Sequence, residues 1–136
     1  MASEVKTSSL SICVLIVDDD HRVLSAISQR LKDLGCRCVC CDNATEAMLQ
    51  FAAGGIDLIV TDLTMPGMDG LSIVGLIRSQ SDVPIIVASG HVEEYRHILS
   101  SYGDVTLIRK PLEAQSFIRC VSAAIAKTRK NNVLAN

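Results

Sequence analysis

Five polar side chains of this sequence come at the ends of apolar runs, where a buried strand would give way to a loop. They are Asp18, Asp19, Asp62, Ser89 and Lys110. Carboxylates that meet in one crevice repel one another unless a cation is bound, and a hard divalent metal with oxygen ligands is the natural partner. If these strand ends are neighbours, the sequence predicts a metal-assisted acidic site.

The donor set favours Mg²⁺ over the other common divalent metals. Few protein ligands leave coordination positions for water and a phosphoryl group, whereas a Ca²⁺ site uses more protein oxygens. Zinc prefers nitrogen or sulfur, and neither is placed at these strand ends. One carboxylate can then attack phosphorus and form an acyl phosphate, while a cation offsets the charge on the transferring oxygens. Lys110 supplies that cation, and Ser89 can donate to a phosphoryl oxygen.

Plainer roles exist for each of these residues taken singly. An acid after a strand often caps the next helix, Lys110 precedes Pro111 and suits an exposed surface, and Ser89-Gly90 suits a simple turn. Their joint placement at four strand ends is what favours a site.

The elements that must position these residues alternate along the chain. Apolar runs and segments with helical periodicity follow one another five times. Strands that are apolar throughout indicate a parallel sheet covered on both faces, with the helices as crossovers. We therefore predict a doubly wound α/β fold with five parallel strands, and five units are too few for a closed barrel. Ligands bind at the carboxyl ends of such strands.

Local signals place several helix ends. Asn43 is a predicted cap, and Glu46 is placed to complete a capping box with it. Apolar spacing predicts a fourth helix over residues 92–102 and a last helix over residues 117–125. The predicted organisation is a flexible leader at residues 1–10, one domain at residues 11–127 and a flexible tail at residues 128–136.

Composition limits the class of protein. With 136 residues, 49% of them hydrophobic, the chain suits one globular domain. Thirteen basic and 15 acidic residues give a net charge of -2, which argues against nucleic acid and anionic membranes as partners. The sequence shows no signal peptide and no span of about 20 apolar residues, so we expect a cytoplasmic protein.

Six cysteines raise the question of a metal or disulfide site. Cys36, Cys38 and Cys40 alternate as residues of a strand do, and a free cysteine packs well as a small hydrophobe. Cys13 and Cys120 are isolated, so the paired spacing of a zinc site is missing. The pattern favours a packed strand over a metal site.

Four motifs in this order resemble the receiver domains of two-component response regulators. They are Val17-Asp18-Asp19, Asp62 with residues 65–70, residues 84–90, and Lys110-Pro111. The resemblance covers residues 11–127 and implies strand order 2-1-3-4-5, a cis Lys110-Pro111 bond and a flavodoxin-like sheet. It implies Asp62 as phosphoacceptor, Ser89 as switch hydroxyl and Lys110 as the phosphate contact. It also implies that Asp18, Asp19, Asp62 and the Thr64 backbone carbonyl hold Mg²⁺.

The resemblance further implies a phosphoprotein that receives its phosphoryl group from a sensor histidine kinase or a histidine phosphotransfer protein. Such a domain is not a turnover enzyme, and we expect it to signal by docking a protein target on the face of the fourth helix and fifth strand. Tyr95 and Tyr102 are either core or contact residues there. Leu107 stands where the family often has an aromatic residue, and Thr64 and His91 occupy its two dephosphorylation-tuning positions.

Two other functions are compatible with parts of the pattern. A small phosphohydrolase would use Asp18 as nucleophile and Asp20 as acid, but it usually needs another acidic pair after a later strand. A degenerate interaction domain would not need workable residues at all five site positions. The chain is predicted to be either a stand-alone receiver or one cut from a longer protein.

Overall fold

The strands and helices alternate as the sequence predicts. A computed structural model of the chain describes residues 11–65 and 68–135, so the predicted leader lies outside the described residues. The strands are β1 (Cys13–Val17), β2 (Arg37–Cys41), β3 (Leu58–Asp62), β4 (Thr64–Met65), β5 (Met68–Asp69), β6 (Ile85–Ser89) and β7 (Val105–Arg109). The helices are α1 (His21–Asp33), α2 (Ala44–Ala52), α3 (Gly70–Arg78), α4 (Val92–Leu99) and α5 (Ala114–Ala135).

Five strands form one parallel sheet in the order β2-β1-β3-β6-β7. This is the predicted order 2-1-3-4-5 once the short β4–β5 hairpin is set aside, so the fold prediction is confirmed. The central strands β1, β3 and β6 are buried along their whole length because helices cover both faces. The antiparallel β4–β5 hairpin was not predicted, since two-residue strands carry no periodicity.

Two hydrophobic clusters fill the two sides of the sheet. Alternate residues of β1 point to opposite faces, with Leu15 in one cluster and Val14 in the other. Helices α2, α3 and α4 pack on the Leu15 side. Helices α1 and α5 pack on the Val14 side, where Phe117 is among the largest fully buried side chains. The sheet is therefore held rigid from both faces.

The caps differ in part from the prediction. Asn43 Oδ1 accepts the Glu46 backbone N–H at 2.8 Å, which confirms the predicted cap of α2. The predicted capping box is wrong, because the Glu46 carboxylate instead accepts from Gln50 Nε2 at 3.0 Å. The i, i+4 spacing puts Gln50 on the same helix face as Glu46, where it competes for that carboxylate.

Two helix boundaries also differ. Helix α4 ends at Leu99 rather than at residue 102, because the Ser100 and Ser101 hydroxyls bond back to the carbonyls of His97 and Ile98. Helix α5 begins three residues earlier than predicted, at Ala114, and continues to Ala135. The helical backbone thus extends past residue 127, while the domain boundaries themselves remain predictions.

The cysteine strand is only partly buried. Cys36 is buried and Cys38 is half-buried, but Cys40 is exposed, so the expectation that the alternating cysteines all pack inside is wrong for Cys40. The reason is that β2 is an edge strand with a neighbour on one side only. Of the helices that the structure describes, none has the length and apolarity of a membrane span.

Candidate functional site

Strand register brings the predicted polar residues to one edge of the sheet. Val17 pairs with Thr61, so Asp18 and Asp62 follow side by side from β1 and β3. On the other side, β3 pairs with β6 and β6 with β7, which places Ser89 opposite Arg109. The parallel arrangement therefore gathers residues from four strand ends at a single crevice.

Three carboxylates form the acidic part of the site. Asp18, Asp19 and Asp62 each contribute an oxygen, and these oxygens all lie within 4.8 Å of one another. Asp18 and Asp62 are only 3% and 7% exposed, whereas Asp19 is exposed. Three oxygen donors with one open side suit a hard cation that keeps several water ligands. This donor set therefore fits Mg²⁺ and has no nitrogen or sulfur ligand that would favour zinc.

Lys110 connects two of these acids. Its Nζ donates to Asp18 Oδ2 at 3.0 Å and lies 3.3 Å from Asp62 Oδ2. Burial by itself lowers the pKa of Lys110, but the hydrogen bond to Asp18 and the charge of Asp62 outweigh burial and leave the pKa raised. The ammonium group is therefore fully charged at neutral pH. The Lys110-Pro111 peptide bond is cis, as the resemblance implied.

Asp18 and the following residues have distinct local roles. Asp18 Oδ1 accepts the Asp20 backbone N–H at 2.9 Å, so both carboxylate oxygens of Asp18 are engaged within the protein. The Asp20 side chain accepts the Arg22 backbone N–H at 2.9 Å and caps α1. These bonds keep Asp20 at the helix terminus, as the plain helix-cap interpretation of an acid after a strand predicts.

Ser89 is nearly inaccessible, with 1% of its surface exposed. Its Oγ accepts the His91 backbone N–H at 2.9 Å, and its carbonyl accepts the Lys110 backbone N–H at 2.8 Å. His91 itself is exposed, and its Nδ1 lies 3.8 Å from Glu94 Oε1. The main chain therefore couples Ser89 directly to Lys110.

The segment after Asp62 is fixed by a close backbone contact that the sequence did not predict. The Leu63 N–H donates to the Ala88 carbonyl at 3.2 Å, and the Gly70 N–H donates to the Leu63 carbonyl at 3.1 Å. A Cβ at Gly70 would come within 2.5 Å of the Leu63 Cα. The sequence carried no distinct signal of this contact, because a glycine is common near the start of a helix. Thr64, in β4, begins the hairpin that lies between these contacts.

Leu107 lies on the side of the sheet that α2, α3 and α4 cover. It is partly buried against the cluster that also contacts Tyr95 and Tyr102. Both tyrosines are half-buried, so each is a core residue with an accessible edge. The core alternative is therefore supported for both tyrosines, and a contact with a docked target stays a prediction.

Comparisons with known proteins agree on one family. Residues 14–122 match the family described as the response regulator receiver domain. The haem response regulator HssR of Staphylococcus haemolyticus is 27% identical over 87% of this chain and 53% of its own length. The DNA-binding transcriptional regulator NtrC of Salmonella typhimurium is 28% identical over 83% of this chain and 24% of its own length. The chain thus spans about half the length, or less, of these relatives.

Solved structures share the fold of this chain. The chemotaxis response regulator CheY4 of Vibrio cholerae superposes with a TM-score of 0.77 at 24% identity, over 84% of this chain and 98% of that one. At this identity the likeness concerns the fold alone.

Proposed function

Because this chain belongs to the response regulator receiver domain family, we propose that it accepts a phosphoryl group on Asp62 in a two-component phosphorelay. The single observation that carries this proposal is the position of Lys110, whose Nζ reaches both Asp18 and Asp62 at adjacent strand ends. A cation fixed beside a buried acid suits a site that must stabilise transferred negative charge.

Asp18, Asp19, Asp62 and the Thr64 backbone carbonyl are proposed to hold Mg²⁺. The proximity of the three carboxylate oxygens supports the first three ligands. When bound, the metal ion offsets charge on the phosphoryl oxygens. The protein's own contribution is to hold these oxygens in place on rigid strand ends.

The transfer step forms one bond and breaks one. An Asp62 carboxylate oxygen attacks phosphorus, while the bond from phosphorus to the donor's imidazole nitrogen breaks and the electron pair leaves with that nitrogen. Lys110 stays beside the negative charge as it passes from the carboxylate to the phosphoryl oxygens, and the Ser89 hydroxyl donates a hydrogen bond to one of these oxygens. The proposed donor is a histidine kinase or a histidine phosphotransfer protein.

Signalling is proposed to follow from a change in packing. A phosphoryl group adds about -1.5 to -2 of charge by analogy with other phosphorylated side chains. Movement of Ser89 toward the phosphoryl group changes the balance between two packing arrangements of α4 and β7. A protein target that binds one arrangement better increases the population of that arrangement. Exposed Ile98, together with Glu93 between Arg96 and Arg109, supports this face as the docking surface.

The remaining expectations are proposals of the same kind. The domain is proposed to act in the cytoplasm as a signalling protein and not as a turnover enzyme, without nucleic acid or membrane as a partner. The phosphohydrolase alternative is less well supported, because its proposed acid, Asp20, caps α1. A phosphohydrolase would hydrolyse a phosphate ester with multiple turnovers, and this activity would be lost in Asp18→Asn and kept in Asp62→Asn.

The deciding experiment measures acid-labile phosphoryl label transferred from acetyl phosphate to the protein, with and without Mg²⁺. We expect Mg²⁺-dependent label in the wild type and none in Asp62→Asn. The matched control is Asp42→Asn, which changes an acid at the end of β2 that lies outside the site and should keep the label. Label that persists in Asp62→Asn would refute Asp62 as the phosphoacceptor.

A further inference from the structure

A buried threonine stands next to the proposed phosphoacceptor. Thr61 precedes Asp62 in β3 and is 1% exposed. It lies opposite Val17 of β1 and Val87 of β6, and both valines belong to the hydrophobic cluster on the side of the sheet that α2, α3 and α4 cover. Residues directly opposite each other in neighbouring strands point to the same face, so the Thr61 side chain lies on that apolar side. By packing alone, this position would suit a valine.

The hydroxyl group of Thr61 forms its bond with the main chain. A buried hydroxyl costs free energy unless it is hydrogen-bonded. Thr61 Oγ1 donates to the Asp62 carbonyl oxygen at 3.1 Å. Valine has a similar shape and no hydroxyl, so packing does not account for a threonine here, whereas this bond does.

The bond holds one end of a peptide unit whose other end is also held. The Asp62 carbonyl and the Leu63 N–H belong to the same planar peptide. The Leu63 N–H donates to the Ala88 carbonyl of β6 at 3.2 Å. The plane of this peptide is therefore fixed at its oxygen by Thr61 and at its nitrogen by Ala88. That plane sets the direction in which the chain leaves Asp62 toward Thr64.

We propose that Thr61 is a positioning residue for phosphoryl transfer to Asp62, an inference that rests on the proposed function. Successive side chains of a strand point to opposite faces, so Thr61 points away from the Asp62 carboxylate and acts through the main chain. Its hydroxyl orients the Asp62–Leu63 peptide. It thereby holds the Asp62 carboxylate and the Thr64 carbonyl where both can face one metal ion. Groups that orient metal ligands from behind commonly set metal affinity and reaction rate.

The test compares variants of Thr61 in Mg²⁺-dependent labelling by acetyl phosphate. Thr61→Val removes the hydroxyl and keeps the shape, and its labelling rate should fall about tenfold, near the upper value for one lost hydrogen bond. Thr61→Ser keeps the hydroxyl and should label close to the wild-type rate. The matched control is Thr45→Val, the same change at an exposed position of α2, which should leave the rate unchanged.

Two further measurements separate positioning from folding. Calorimetric titration with Mg²⁺ alone, without acetyl phosphate, should show about tenfold weaker binding in Thr61→Val than in the wild type, and Thr61→Ser should restore it. Chemical denaturation should find Thr61→Val about as stable as the wild type, because the apolar surface that valine buries offsets the lost bond.

The wild type tests the proposed function, and the variants test Thr61. No label in the wild type would overturn the proposed function and this inference with it. A labelled wild type, with equal rates and equal Mg²⁺ binding in Thr61→Val, would overturn only the role of Thr61. Slow labelling by both Thr61→Val and Thr61→Ser would assign the effect to the methyl group, and a loss of labelling that parallels a loss of stability would assign it to packing. Either result overturns the positioning role.

Discussion

Gly70 offers the sharpest test of how the loop beside Asp62 is held. Replacing Gly70 with alanine adds a Cβ that would lie 2.5 Å from both the Cα and the carbonyl oxygen of Leu63. Both of those atoms are backbone, so no side chain can turn aside to make room. Leu63 directly follows Asp62, the proposed phosphoacceptor, and the clash therefore acts on the position of Asp62.

The magnitude follows from the distances. Unstrained carbon contacts begin near ~3.5 Å, so the two backbone segments must separate by about 1 Å. Overpacking of this kind costs about 1–3 kcal/mol, and the helix-propensity gain of alanine over glycine returns at most ~1 kcal/mol. We expect Gly70→Ala to lose about 2 kcal/mol of unfolding free energy. Gly75→Ala is the matched control in the same helix, because its Cβ would meet only the Tyr102 hydroxyl, at 3.3 Å.

Equilibrium denaturation of both variants measures the difference. Gly75→Ala should be neutral or more stable than the wild type by up to ~1 kcal/mol. Labelling by acetyl phosphate should fall in Gly70→Ala and stay unchanged in Gly75→Ala. If Gly70→Ala is as stable as Gly75→Ala, the close approach of Gly70 to Leu63 is not a constraint on this protein, and the reasoning fails.

Three further predictions concern other parts of the chain. Asn43→Ala should lower the unfolding free energy by about 1 kcal/mol, measured by denaturation, and Asn43→Ser should retain most of it because the serine hydroxyl also accepts the cap bond. The pKa of Glu113 is held below 4.5 by its bonds to Ser116 and to the first turn of α5, so it stabilises the fold above that pH. The stability difference between the wild type and Glu113→Gln should therefore vanish as the pH falls through the lowered pKa; a constant difference contradicts this. Burial raises the pKa of Cys41 to about 11, so a thiol reagent at mildly alkaline pH should modify exposed Cys40 in the native protein and Cys41 only after unfolding.

Sequence periodicity predicted the sheet because burial on both faces leaves an unmistakable apolar run in each central strand. Strands β1, β3 and β6 are of this kind, and their ends located Asp18, Asp62 and Ser89. The edge strand β2 was less predictable. Its cysteines have the composition of a buried strand, but exposure at an edge depends on which strand lies next to it, which local sequence does not encode.

Contacts between distant backbone segments were also beyond sequence reasoning. The approach of Gly70 to Leu63 is a contact between backbone atoms, and no side-chain pattern records it. The Glu46 carboxylate can accept either from the Gln50 side-chain amide or from the Asn43 backbone N–H. These are two local bonds of similar strength, so the sequence does not decide between them. The assignment of roles to Asp62, Ser89 and Lys110 depended on the family resemblance and remains a prediction that phosphorylation assays can test.

The bond from the His91 N–H to Ser89 Oγ has a consequence for observing the signal. In the proposed function the Ser89 hydroxyl turns toward the phosphoryl group, and we expect this rotation to break its bond to the His91 amide. We then expect the His91 amide proton to exchange with solvent deuterium faster in the phosphorylated protein than in the unphosphorylated one. On the proposed function, the exchange rate of the His91 amide would measure the activated population without a label, a partner or an aromatic reporter.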